Sequence, residues 1–160
     1  TSLVNYHQGR LDSGLLNSLL EMRMLFEVET ARQAAQNRTD RHLRAFENIL
    51  EDQRKVGFDE VEKITELDFD FHHLIAIATG NHIYPLLLNS FKQFYFNLAG
   101  QFFSDPEGVE AVFLFHEKMV GAIRQKDANE AAAIMKDMLV HGEVHLKRMI
   151  EQDQQRMEDE

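Results

Sequence analysis

What most constrains this chain is how seldom it is interrupted: its 160 residues contain eight glycines and two prolines. Those two residue types are the usual breakers of regular backbone. Their scarcity leaves long stretches that must be continuous helix or strand. Runs of Val and Thr typical of strands are missing. Apolar residues instead recur every three or four positions, the period of helices that turn one face to a core.

The breakers fall at Asn37-Arg38-Thr39, Gly57, Gly80-Asn81, Ser104-Asp105-Pro106 and Asp127. They predict six helices. The first, capped by Asp12 or Ser13, turns Leu16, Leu19, Leu20, Arg23 and Phe26 inward and ends near Gln36. Thr39 caps the second, whose inward residues are Leu43, Phe46, Ile49 and Leu50. Asp59 caps the third, which stops at Gly80. Asn81 starts the fourth, the most apolar, with Pro85 tolerated in its first turn. Pro106 suits the first position of the fifth. Asp127 caps the sixth, with Ala131, Ile134, Met138, His141 and His145 on one stripe. Residues 1–11 read as a linker or arm, 12–150 as one domain, and 151–160 as a charged tail fraying after Met149. The expected fold is all-α: an antiparallel bundle of about six helices.

Composition excludes several function classes. Twenty-seven acidic against 17 basic residues give a formal charge of −10, which repels nucleic acid. With no cysteine, disulfides and thiolate metal sites are ruled out. No apolar run approaches the roughly 20 residues of a membrane helix, so we expect a cytoplasmic chain with no membrane partner. The chain opens on Thr1 rather than methionine, and we expect it to be a processed or excised part of a longer protein. Walker, Gly-x-Gly-x-x-Gly and Gly-x-Ser-x-Gly motifs are absent, and His141-Gly142-Glu143-Val144-His145 is not the zinc-protease His-Glu-x-x-His.

Chemistry is concentrated in Asp68-Phe69-Asp70-Phe71-His72-His73. On a helix Asp68 and His72 lie one above the other, on the face that also carries Val61, Ile64, Phe71 and Ile75. A carboxylate and an imidazole against an apolar core are costly unless they pair or bind something. Two more inward stripes carry His116, and His141 with His145. Imidazole nitrogen with carboxylate oxygen is the ligand set for Zn²⁺, Ni²⁺, Mn²⁺ or Fe²⁺; a hydrogen-bonded core is the plainer reading. His7, His42, His73 and His82 read as surface or capping residues. Arg23 is either an ion-paired, snorkelling side chain beside Glu21 or Glu27, or a fork for a ligand carboxylate. Asn81 is an N-cap by default.

Taken together, Glu21-Met22-Arg23 with Glu27 and Ala31, Asp68-x-x-Phe71-His72, Ala78-Thr79-Gly80-Asn81, Phe115-His116-Glu117, Ala122-Ile123 and Lys126-Asp127 resemble the FCD effector domain of the FadR branch of GntR-type bacterial transcription regulators. The likeness runs from about Leu15 to about Met149. It implies a helical bundle that senses a metabolite, for which we favour a small-molecule carboxylate, acts as a homodimer, and controls a winged helix-turn-helix domain on its N-terminal side, through which alone DNA is contacted. It also implies a divalent metal held by Asp68, His72, His116 and residue 138; in the leading reading Arg23 and Asn81 add hydrogen bonds to the effector. Met138 departs from that pattern, since a thioether is a poor ligand for such ions, and His141, one turn on, is the candidate substitute. Gly80-Asn81-His82-Ile83-Tyr84-Pro85-Leu86 and Phe103-Ser104-Asp105-Pro106-Glu107 resemble instead the fatty-acid-responsive members of the branch, which bind acyl-CoA and lack the metal ligands. The leading expectation is a metal-assisted sensor of a small organic acid, not an enzyme. The alternatives are an acyl-CoA sensor, a metal-dependent enzyme using the two-His-one-carboxylate set, and a dimerisation module with a dead pocket.

Overall fold

A computed structural model describes residues 13–159. Among the described residues there are seven helices and no strand: α1 (Ser13–Asn37), α2 (Asp40–Lys55), α3 (Val61–Ala78), α4 (Ile83–Ser90), α5 (Lys92–Phe102), α6 (Pro106–Arg124) and α7 (Ala128–Glu158). The expected arm at 1–11 and the expected cap Asp12 lie outside them.

Three of the seven helix starts, those of α2, α6 and α7, carry a side-chain cap. The Thr39 hydroxyl accepts the His42 N–H at 3.2 Å, and His42 Nδ1 accepts the Thr39 N–H at 3.1 Å, a reciprocal box at the head of α2. Asp105 accepts from Glu107 N–H ahead of Pro106, and Asp127 from Glu130 N–H. Gly80 ends α3 at φ 81°, a left-handed conformation that a side chain would strain.

Three boundaries differ from expectation. Glu60, not Asp59, precedes α3, and its carboxylate reaches back to the Gly57 N–H at 2.8 Å instead of capping the helix. The predicted fourth helix is two: Phe91, at φ −100° and ψ 0°, ends α4 and begins α5. That bend leaves Ile83, Leu86 and Leu87 exposed on α4 while α5 buries Tyr95, Leu98, Ala99 and Phe102. The expected fray after Met149 does not occur, for Glu, Gln and Arg are good helix formers and no breaker follows, so α7 continues to Glu158.

α3 lies at the centre, against α1, α2, α4 and α5, while α1 packs most extensively on α7. Ala31, Ala34 and Ala35 are fully buried and let α1 approach its neighbours closely. Phe46, Phe71, Ile64, Ile75, Met119, Ile123 and Met135 fill the main core. Leu16, Leu19, Leu98 and Leu146 form a second cluster joining α1, α5 and α7. The α1–α2 turn ties two helix ends together. Asn37 Nδ2 donates to the Thr79 carbonyl at 2.9 Å, and Arg38 donates to the Ile123 and Arg124 carbonyls at 3.2 and 2.6 Å. Carbonyls at the C-termini of α3 and α6 are thereby satisfied by one turn, which sets the register between the two helices that carry the candidate ligands.

Candidate metal and effector site

Asp68 and His72, one turn apart on α3, face His116 on α6, and all three are buried, His116 completely. Asp68 Oδ1 lies 3.1 Å from His116 Nε2 and 3.6 Å from His72 Nε2. One ligand atom from each residue falls within 4.8 Å of the others, and no other such trio occurs among the described residues. Phe71 stacks on the His116 ring at 3.8 Å between centroids and 14° between planes, fixing the plane of that imidazole.

The ring nitrogens test whether this trio suits a cation. His72 Nδ1 is 2.6 Å from Glu27 Oε1, yet the oxygen sits off the line of an N–H bond, so charge rather than an aligned hydrogen bond holds the pair. His116 Nε2 likewise has no aligned partner despite its closeness to Asp68. On the far side of that ring the Gln53 amide nitrogen donates to Nδ1 at 2.6 Å, which leaves Gln53 Oε1 buried and unpartnered. Turning the amide over would let Oε1 accept from an Nδ1–H and free Nε2 as a ligand. Two imidazoles with outer nitrogens at a carboxylate and an amide, and inner nitrogens converging on Asp68, suit a divalent cation.

Electrostatics agrees with that assignment. Burial by itself raises the Glu27 pKa, but Arg23 and His72 bring it down to about 2. Asp68 is also opposed by burial, and His72 and His116 hold its carboxyl well below the usual range. Burial disfavours the His72 imidazolium, yet Glu27 and Asp68 raise its pKa to about 9. His116 goes the other way: burial and then the His72 charge outweigh Asp68 and keep it neutral. Two buried carboxylates thus hold one proton on His72, which a cation would displace.

Arg23 takes the ion-paired reading, with Glu27 as its partner. Its Nε donates to Glu27 Oε2 at 2.5 Å, and its guanidinium carbon sits 5.1 Å from the centre of the Tyr95 ring. Its terminal nitrogens meet no acceptor among the described residues. With Asp68, His72 and Tyr95, Arg23 lines one end of a cavity of about 80 Å³.

Two expected site residues lie elsewhere. Asn81 is exposed, its Oδ1 accepting the Ile83 N–H at 2.9 Å, and it is not on the cavity wall. It accepts from the first residue of α4 one position ahead of the N-cap, which is His82 and not Asn81. His141 is neither in the trio nor on the wall; it stacks parallel to His145 at 6.1 Å, meets Phe102 edge-on and has Phe115 tilted beside it. α7 turns Met138, Leu139, Gly142 and Leu146 to the cavity, and a residue three beyond Met138 falls about 60° round the helix. Met138, not His141, therefore faces the site.

Glu27 and Gln53 were missed as members of the site. Glu27 shares the inward stripe of Ala31 and Ala34, a signal available from spacing alone, but a pairing with His72 forty-five positions away was not. Gln53 continues the buried stripe of Phe46 and Leu50.

With this geometry in view, comparison with known proteins is decisive for the family. Residues 18–141, which include Arg23, Asp68, His72 and His116, match the FCD domain. The chain belongs to the FCD-domain family. It is 31% identical over 78 residues to the fatty acid metabolism regulator protein of Shewanella sp. (strain MR-4), covering 49% of this chain and 32% of that protein. It is 27% identical over 113 residues to the protein of the same description from Proteus mirabilis (strain HI4320), covering 71% and 45%. This FCD domain therefore spans less than half the length of the curated relatives it matches. Among solved structures, Streptococcus agalactiae GntR superposes with a TM-score of 0.66 at 24% identity over 84% of this chain and 58% of that one, a likeness of fold. The family match is the FCD domain that the sequence resemblance pointed to. No helix among the described residues is long and apolar enough to cross a membrane.

Proposed function

We propose that this FCD domain senses a small organic acid at a divalent-metal site and passes the signal to a winged helix-turn-helix domain on its N-terminal side. The observation that carries the reading is the buried trio Asp68, His72 and His116, two of whose members, Asp68 and His72, line a cavity that Arg23 also lines. Asp68, His72 and His116 would hold the metal: Zn²⁺, Ni²⁺, Mn²⁺ or Fe²⁺. When bound, it supplies a compact positive charge with coordination positions left open for a carboxylate.

The chain's own residues do the rest. Arg23 offers its unpaired terminal nitrogens as a fork for the carboxylate. Glu27 holds Arg23 by Nε and His72 by Nδ1, so one carboxylate orients both halves of the site. Arg23 and Glu27 belong to α1, Asp68 and His72 to α3, and His116 to α6. An acid gripped between them favours the arrangement in which these helices are drawn together, and α1 leads toward the N-terminal side. The homodimer belongs to the same proposal. Its candidate face is the apolar groove of about 620 Å³ between α1 and α4, beside exposed Leu25, Leu86 and Leu87.

Isothermal titration of a carboxylate panel into metal-loaded and EDTA-treated protein tests this reading. Binding that requires both the metal and Arg23 is expected; equal binding after chelation rejects it. The relatives described as fatty acid metabolism regulators support an acyl-CoA reading as the alternative, and tighter binding of an acyl-CoA than of any free acid would establish it.

A further inference from the structure

The cavity beside Arg23 is chemically lopsided. Its charged and polar groups gather at one end: the Arg23 guanidinium carbon and the His72 ring lie 5.1 and 6.2 Å from the Tyr95 ring centre, and Asp68 adjoins His72. Glu143 also touches the cavity, but its carboxylate is held by Lys147 at 2.8 Å. The remaining wall is hydrocarbon and thioether, with Leu19, Leu98, Phe102, Val112, Met138 and Leu146 all buried. These six lie within helices, so their peptide groups are largely committed to helical hydrogen bonds. That wall has nothing to offer a second polar group on a bound molecule.

We propose that the effector is a short monocarboxylate with a hydrocarbon body. Its head sits at Arg23 and the Asp68–His72–His116 cluster, and its tail of a few carbons lies against Met138, Leu98 and Phe102. The tail carries no hydroxyl, amino group or second carboxylate, because each would be stripped of water with no partner in return. Size limits how much of the tail is covered: a cavity of about 80 Å³ takes only a few carbons. This inference rests on the carboxylate-sensing reading and narrows its ligand class.

Calorimetric titration of the Zn²⁺-loaded 160-residue chain with butyrate, 3-hydroxybutyrate, succinate and decanoate tests it. Butyrate is expected to bind tighter than 3-hydroxybutyrate by about 10- to 100-fold, and tighter than succinate and decanoate by at least that. Equal or tighter binding of the hydroxy acid, the diacid or the long-chain acid overturns the inference and leaves the carboxylate sensor standing. Failure of all four to bind overturns both. Met138→Gln places an amide on the tail-facing wall and should narrow the gap between butyrate and 3-hydroxybutyrate several-fold. An unchanged ratio overturns the assignment of that wall to the tail.

Discussion

The molecule carries two clusters built from the same parts, and they differ in what they can hold. On α3, Asp68 and His72 stand four residues apart and meet His116 of α6; on α7, His141 and His145 stand four residues apart, and His145 meets Asp105 at the head of α6. In the first the rings are tilted 79° to each other and their inner nitrogens converge on one carboxylate oxygen. In the second the rings lie parallel, 11° apart, half-buried beside Phe102, with the Asp105 carboxylate against His145 alone. Spacing along one helix brings two ligands level. A cation needs a third from another helix, at a depth where water does not compete.

The largest effect that separates the clusters is metal stoichiometry. Asp68→Ala or His116→Ala should lower metal affinity more than about 100-fold, since one of three ligands goes, while His141→Ala and His145→Ala keep full loading by elemental analysis. Full loading in the first pair breaks the comparison. Next comes heat stability. A metal at about 100 times its Kd should stabilise the chain by ~2.7 kcal/mol, read as a higher Tm that EDTA removes. The gain should vanish in Asp68→Ala and persist in His145→Ala.

Glu27→Gln sharpens the comparison by leaving all three ligands in place. The amide loses the charge that holds both Arg23 and His72, so metal affinity should fall about 10- to 100-fold with an unchanged circular dichroism spectrum. Asp105→Asn, on the other cluster, should leave metal affinity untouched. The smallest effect is the pH profile of the metal-free protein. The His72 pKa is raised from 6.5 to about 9, so its contribution is complete below pH 6.5 and is lost as pH climbs through 9. The His141 pKa is lowered, by burial and by His145, so its contribution has the opposite sign and is lost as pH falls below 6.5. Tm in EDTA should therefore decline from pH 6.5 to 9 in the parent and in His141→Ala, but stay flat in His72→Ala.

Much of the helical layout was legible because its signals are local. Thr39, Asp105 and Asp127 act on amides two or three residues away, and Gly80 acts through its own φ. The break at Phe91 was not legible, for no breaker residue stands there; the competing demands of the α4 and α5 apolar faces make it. Of the site, Asp68 with His72 could be read from one helical turn, and His116 from its place on an inward stripe. His141 was misplaced by about 60° of helix rotation, an error that counting apolar positions cannot expose.

The sequence by itself determined that this FCD domain is all-helical, where most of its helices begin and end, and which carboxylate and imidazole share a face. Hydrogen bonds and apolar period act over a few residues, so they are written in neighbours. Tertiary structure alone decided that Glu27 meets His72, that Gln53 meets His116, and that Met138 rather than His141 looks into the cavity. Those contacts join residues up to dozens of positions apart, and only the packing of α1 and α2 on α3, and of α7 on α1 and α6, sets which rotation of each helix faces the others.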